Sequence, residues 1–206
     1  LDGSLRLLDA CSSAKDVLLQ TKECTRELQS SMRRRCGDET DIKKYLASRK
    51  IVKKAIQKAL GNLKGVEKKC SISPINKDHE ALAVVSMLRE VEAVTAAALK
   101  SLLSLISGSN LQKKKSGWSL VSKVMHHRRV ASEEVLGNDK FMQADGALES
   151  LYGHKESRRD KHMFLENVQN QLKDLEQYIQ ELEDGLECLY RRLIKTRVSF
   201  LNIFNH

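Results

Sequence analysis

The stretch LENVQNQLKDLEQYIQELEDGLECLYRRL, residues 165–193, carries the strongest structural signal in this sequence. Its apolar residues recur at alternating steps of three and four, which places them along one side of an α-helix. The rhythm continues in both directions and predicts one helix over 158–204, with the heptad spacing of helices that pack on other helices. The packing stripe consists of Leu165, Val168, Leu172, Leu175, Ile179, Leu182, Leu186, Leu189 and Leu193.

Three earlier segments share this period, and the composition agrees with it. The chain has 206 residues with one proline and 4% aromatic residues, which suits long helices because proline breaks them. We predict helices over 4–35, 41–69 and 78–107, with Thr40 as the N-cap of the second. The predicted fold class is all-α: an elongated antiparallel bundle of about four long helices plus short helices, with a heptad-patterned C-terminal helix.

The third helix is predicted to be the most buried one, because it is apolar nearly all round between residues 95 and 105. Its packing stripe is expected at Ala81, Val84, Leu88, Val91, Thr95, Ala98, Leu102 and Leu105.

We expect residues 1–206 to form a single helical bundle domain, with loops or mobile insertions over 108–117 and 129–157. Gly108 is expected to end the third helix, and glycines interrupt the weak helical pattern of the second insertion. Between the insertions, residues 118–128 are predicted to form a short amphipathic helix. The chain begins without Met, which suggests a sequence shortened at its N-terminus.

The long heptad pattern allows two arrangements. The last helix can pair with the same helix of a second chain, which makes a homo-oligomer possible. Alternatively, it can serve as the spine of a bundle within one chain. We favour the second arrangement because the earlier helices carry matching stripes that also need burial.

The search for catalytic chemistry yields no candidate site. The sequence lacks a glycine-rich phosphate loop, an HExxH motif and a nucleophile elbow. The cysteines and histidines show no metal-ligand spacing. We therefore predict a protein that is not an enzyme, with no catalytic, cofactor-binding or metal-binding residues and no cofactor.

Cysteine usage and the lack of a visible signal peptide predict an intracellular protein in a reducing compartment. The five cysteines are odd in number and form no CxxC pair, as expected of free thiols. The most apolar stretch, residues 93–106, is too short to cross a bilayer. The cytoplasm is the favoured compartment, while an organelle or the nucleus stays open.

The positive charge is unevenly distributed along the chain. Residues 33–69 contain 13 basic and 4 acidic residues, whereas residues 132–206 contain 14 acidic and 10 basic residues. A solvated helix face is the simplest interpretation of the basic segment. An anionic membrane surface or an acidic protein partner is the next alternative, and nucleic acid is an unlikely partner. The candidate basic interaction surface is formed by Lys43, Lys44, Lys50, Lys53, Lys54 and Lys58.

Two motifs resemble the plant BYPASS-like family, a plant-specific domain of unknown function. One is LDGSLRLLD, residues 1–9, followed by AKDVLL, residues 14–19; the other is LEDGLECLYRRLIKTRVSFLNI, residues 182–203. The resemblance spans the chain and implies a role in root and shoot development, without catalytic residues. Members of the family usually begin with a Ser-rich segment and another short helix, so this chain is expected to be N-terminally truncated relative to the family.

Three functions follow as hypotheses. The first is a non-enzymatic helical interaction or scaffold protein with unknown protein partners. The second is a peripheral membrane protein that binds anionic lipid through the basic helix over 42–69. The third is nucleic-acid binding.

Overall fold

The structure, a computed structural model, describes residues 2–35, 39–68, 79–108, 139–153 and 158–204. These residues form five helices and no strand, which confirms the all-α prediction for this part of the chain. The helices are α1 (Asp2–Arg35), α2 (Glu39–Lys68), α3 (His79–Ile106), α4 (Lys140–Gly153) and α5 (Arg158–Phe204).

The predicted end points hold to within two residues for the four long helices. The last helix has the predicted bounds, and α1 begins two residues earlier than expected. Because α2 begins at Glu39, Thr40 lies in its first turn and is not the N-cap. Gly108 ends α3 as predicted: its φ of 66° is the left-handed conformation that glycine adopts without steric cost. The predicted helix over 118–128 and the loop over 109–117 lie outside the described residues.

The helix with the most extensive contacts to other helices is α1, and not the C-terminal helix as the heptad pattern suggested. It packs against α2, α3 and α5; α2 packs against α1, α3 and α4, and α5 packs mainly against α1 and α4. The reason lies in the small and medium side chains of α1, such as Ala10, Cys11 and Ala14, which are buried and let neighbouring helices approach closely. A single core of apolar side chains then draws on all five helices.

Contacts along two seams show that α1 runs antiparallel to both α2 and α5. On the first seam, Cys24 donates a hydrogen bond to Ser48, and Glu27 forms an ion pair with Lys44. Residue numbers therefore decrease along α2 as they increase along α1. On the second, ion pairs join Lys15 to Glu187, Lys22 to Glu183 and Arg26 to Glu176 in the same opposed order.

The predicted packing stripe of α3 is correct only in part. Thr95 is buried and Leu102 and Leu105 pack against the core, whereas Val91 and Ala98 are exposed. The buried apolar side chains of the helix are Ala96, Leu99, Leu103 and Ile106. Since α3 is apolar on two sides, its sequence period did not reveal which side would be covered. The helix is also not the most buried one, because no residue from 84 to 94 is buried.

The predicted insertion over 129–157 contains helix α4, so the expectation of a loop is wrong for residues 140–153. Asp139 caps this helix: its carboxylate accepts hydrogen bonds from the backbone N–H groups of Phe141 and Met142. Phe141 and Leu148 are fully buried and anchor the helix. Gly146 is one of the glycines that interrupt the predicted helical pattern. It lies on the exposed side of α4, where it lowers stability only through the low helix propensity of glycine.

Candidate interaction surface

The outward side of α2 carries a row of three exposed lysines, Lys50, Lys54 and Lys58. They are spaced four residues apart, so they follow one another along the same side of the helix at intervals of about 6 Å. No acidic side chain within the described ranges forms an ion pair with any of them. We call these three residues the lysine row.

The other three lysines of the predicted basic surface form ion pairs within the molecule. Lys43 lies 2.8 Å from Glu39 one turn earlier, and Lys44 lies 2.9 Å from Glu27 of α1. The hydrogen bond to Glu27 raises the pKa of the Lys44 ammonium. Lys53 lies 3.1 Å from Asp145 of α4. The structure therefore separates the six predicted lysines into three that form ion pairs and three for which no ion pair is described.

Two further residues extend the surface around the lysine row. Lys64 is exposed and lies 14 residues after Lys50, a spacing of two heptads that returns to the same side of the helix. This spacing was visible in the sequence, although Lys64 was not included in the predicted surface. Ile51, beside the row, exposes 58% of its surface.

The opposite side of α2 is fixed in the core, which sets the direction of the lysine row. Val52, Ile56 and Leu63 are fully buried there. Burying such a side chain contributes about 1.5–3 kcal/mol, so rotating α2 to present another side would be costly.

Arg49 lies in the middle of this buried side, with only 2% of its surface exposed. Its Nε donates to both carboxylate oxygens of Asp145, at 2.9 and 3.2 Å, and its Nη2 donates to the carbonyl of Ile106 at 2.8 Å. The guanidinium also lies 5.3 Å from the ring centre of Phe141. One side chain thus joins α2 to α4 and to the last carbonyls of α3, where a cation is favoured.

The sequence reasoning did not identify Arg49, although a signal was present. The apolar residues of α2 include Tyr45 and Leu46 and continue at Val52, and Arg49 lies midway between Leu46 and Val52. A charged residue in the gap of an apolar stripe indicates a buried ion pair.

The heptad stripe of α5 packs inside the molecule. Val168, Leu172, Leu175 and Ile179 are fully buried, and Leu186 and Leu193 are nearly so. The remaining predicted stripe residues are half-buried: Leu165, Leu182 and Leu189. The chain's own helices therefore cover the stripe fully from Val168 to Ile179 and partly at Leu165, Leu182 and Leu189.

The described cysteines, Cys11, Cys24 and Cys188, are free thiols that differ in burial. Cys11 is fully buried, and burial raises the pKa of its thiol to about 11, so it stays protonated at neutral pH. Cys24 donates a hydrogen bond to the hydroxyl of Ser48, and Cys188 is exposed. Within the described ranges, no three His, Cys, Asp or Glu side chains are grouped to hold a metal ion.

None of the described helices combines the length and the apolar composition needed to cross a bilayer.

The comparisons with known proteins gave one match. The family model described as Protein BPS1 matches residues 1–203. No curated protein and no solved structure matched the chain with comparable significance.

Proposed function

Since this chain belongs to the BPS1 protein family, we propose that it is a non-catalytic helical interaction protein in root and shoot development that binds an acidic protein partner. Membership of the family fits a developmental role in plants. The observation that carries the molecular proposal is the lysine row, Lys50, Lys54 and Lys58, which is exposed on a helix whose other side is fixed in the core.

The charges favour an acidic partner for a physical reason. A single exposed ion pair contributes about 0–1 kcal/mol, so one lysine would not distinguish an acidic partner from other proteins. Three lysines in line present a continuous positive strip, which accelerates encounter with a complementary surface and disfavours cationic partners. An acidic helix with carboxylates at the same four-residue spacing would match the strip along its length.

Charge reversal of the lysine row tests the proposal. Partners are captured from plant extract with the wild-type protein, with the variant Lys50→Glu, Lys54→Glu, Lys58→Glu, and with a matched control. The control, Lys173→Glu, Arg192→Glu, Lys195→Glu, changes the charge equally at exposed positions of α5.

We expect a partner that the wild type and the control retain, that the row variant loses, and whose capture weakens with salt. Equal recovery of every partner by the row variant would count against the proposal.

A second candidate function, binding to an anionic membrane surface, is favoured by the exposed Ile51 beside the lysine row. The apolar side of α2 is buried in the core and unavailable for insertion, so attraction would come mainly from charge. Four exposed lysines, including Lys64, would supply roughly 1 kcal/mol each, corresponding to a Kd of about 1 mM.

Co-sedimentation with vesicles separates the two candidates. Phosphatidylserine vesicles should recover the protein weakly and only at low salt if the partner is a protein. Firm recovery at physiological salt, lost in the row variant and absent with phosphatidylcholine, would favour the membrane.

A further inference from the structure

The outward side of α1 carries a row of three acidic residues. Asp9, Asp16 and Glu23 are exposed and lie seven residues apart, so they follow one another along the same side of the helix. Within the ranges that the structure describes, no ion pair involves any of them. We call these three residues the acidic row. Helix α1 thus presents unpaired negative charge, as α2 presents unpaired positive charge at the lysine row.

The acidic row and the lysine row extend over the same length of two neighbouring helices. Cys24 of α1 is level with Ser48 of α2, because their side chains form a hydrogen bond, and the two helices are antiparallel. Counting along both helices from this contact places Glu23 level with residue 49, Asp16 with residue 56 and Asp9 with residue 63. The exposed lysines at 50, 54, 58 and 64 lie within this range.

Both rows face away from the core, so they belong to one surface of the α1–α2 pair. On α1, the fully buried Leu7, Ala14 and Leu18 lie on the side opposite the acidic row, and on α2 the fully buried Val52 and Ile56 lie opposite the lysine row. Three exposed apolar side chains accompany the charges on this surface: Leu5, Leu19 and Ile51.

The presence of both signs restricts the kind of partner that fits the surface. A partner that is acidic throughout would be attracted by the lysine row and repelled by the acidic row on the next helix. A partner that carries both signs in the reverse order avoids this repulsion. A second copy of the chain carries them in that order when it is turned to face the first copy.

We propose that the acidic partner of the lysine row is the acidic row of a second copy of the chain. The proposal rests on the proposed function, because it uses the same lysines. A twofold axis parallel to α1 and α2, above the seam between them, places α1 of each copy against α2 of the other. Each acidic row then faces a lysine row, and the contact is made twice, as in every twofold interface.

The levels of the charges match in this orientation. Rotation about an axis parallel to the helices keeps every residue at the level that it has in a single chain. Glu23 is therefore within one residue of the level of Lys50 in the second copy, and Asp9 is within one residue of the level of Lys64. A twofold axis across the helices would instead place each row against its own equivalent, which is unfavourable.

The size of the surface suits a dimer. The part of α1 from Leu5 to Glu27 is about 33 Å long, and two helices side by side are roughly 20 Å wide. The footprint is then roughly 650 Å² on each copy and about 1,300 Å² in total, which lies in the range of specific protein–protein interfaces.

Sedimentation equilibrium of the purified protein, over a range of protein and salt concentrations, is the first test. The wild type should form a reversible dimer whose Kd rises steeply with salt, because salt screens exposed charges. A protein that is monomeric at every concentration in low salt would overturn the proposal. A dimer whose Kd does not respond to salt would overturn it as well.

Reversing each row separately tests which rows face each other. The lysine variant is Lys50→Glu, Lys54→Glu, Lys58→Glu, and the acidic variant is Asp9→Lys, Asp16→Lys, Glu23→Lys. Each variant alone should dimerise at least about tenfold more weakly than the wild type, because like charges then face each other. An equimolar mixture should form a heterodimer, since one variant has both rows acidic and the other has both rows basic.

The matched control is the α5 variant Lys173→Glu, Arg192→Glu, Lys195→Glu, which should dimerise like the wild type. Thermal melting followed by circular dichroism checks that all three variants are folded. If a triple variant does not fold, the single substitutions Lys50→Glu and Glu23→Lys replace the two row variants. A mixture without heterodimer, or equal weakening by the control, would overturn the proposal.

The outcomes separate this proposal from the proposed function. If the wild type is monomeric but the lysine variant still loses a partner from plant extract, the second copy is excluded as the partner and the proposed function stands. If the lysine variant dimerises like the wild type and recovers every partner, both are contradicted.

Discussion

The guanidinium of Arg49 is almost wholly buried, and its charge is compensated from two directions. The carboxylate of Asp145 accepts two hydrogen bonds from it, and the carbonyl of Ile106 accepts a third. Asp145 is itself buried and also lies 3.1 Å from Lys53, whose side chain is 44% exposed. The two cations therefore contact the same carboxylate from different environments, which allows their contributions to be separated.

Replacing Arg49 by Met should destabilise the protein by about 3–5 kcal/mol, because Asp145 would remain buried without its main partner. Lys53→Met should cost less than about 1 kcal/mol, since solvent already screens that pair. Urea unfolding of both variants measures the difference. The double variant Arg49→Met, Asp145→Leu should recover part of the loss. Equal costs for the two single variants would show that Arg49 is not the dominant partner.

At the scale of the helix, α5 is covered unevenly along its length. Its N-terminal half packs against both α1 and α4, and the stripe residues from Val168 to Ile179 are fully buried. Lys140 of α4 pairs with Asp174, which fixes α4 on this half. Further along, Leu182 and Leu189 are only half-buried. The regular heptad pattern thus hides a difference in packing between the two halves.

Truncation of the stripe should reveal this difference. Leu175→Ala should destabilise the protein by about 2–5 kcal/mol, because it removes a fully buried side chain and leaves a cavity. Leu189→Ala should cost roughly half of that or less, since part of its surface already contacts water. Chemical denaturation of both variants checks the order. Equal losses would mean that the two halves of α5 are packed alike.

The sequence was sufficient to predict the bounds of the long helices. It was insufficient to predict contacts between segments that are distant in the sequence. The bounds of α5 followed from its period because every turn of the stripe repeats the same signal. On α3, both the side that carries Val91 and the side that carries Leu99 are apolar. Which of them is buried depends on where the other helices pack. Helix α4 has only 14 residues, too few for its stripe to outweigh the glycines around it.

The candidate surface was predicted in outline for the same reason. All six lysines of α2 are visible as a basic segment, and a local period cannot distinguish among them. Lys44 and Lys53 form ion pairs with Glu27 and Asp145, which lie on other helices. Their pairing is a property of the tertiary structure, so the sequence alone does not show which lysines form ion pairs.

At the scale of the whole molecule, a row of ion pairs joins α1 to α5. Three cations of α1 face three carboxylates of α5 along the antiparallel seam. One of these pairs carries Lys15, whose Nζ also lies 5.5 Å from the ring centre of Tyr190. Hydrogen bonding between Lys15 and Glu187 lowers the pKa of the carboxyl and raises that of the ammonium.

These shifts set the pH range over which the seam contributes to stability. Because folding lowers the pKa of Glu187 below its ordinary value of 4.5, the contribution is complete above that pH and is lost as the pH falls through the folded-state pKa. Because folding raises the pKa of Lys15 above 10.5, the contribution is also lost as the pH rises through that higher value. Between these limits the pair is fully charged.

Glu187→Gln should therefore lower the free energy of unfolding by a constant amount across neutral pH. The difference from wild type should shrink as the pH falls below 4.5 and disappear once the wild-type carboxyl is protonated, and it should also shrink with salt. Urea titrations at a series of pH values measure it. Glu166→Gln is the control, because it removes an exposed carboxylate of α5 for which no ion pair is described. A difference for Glu187→Gln that persists unchanged in acid would mean that this side chain acts through packing rather than through its charge.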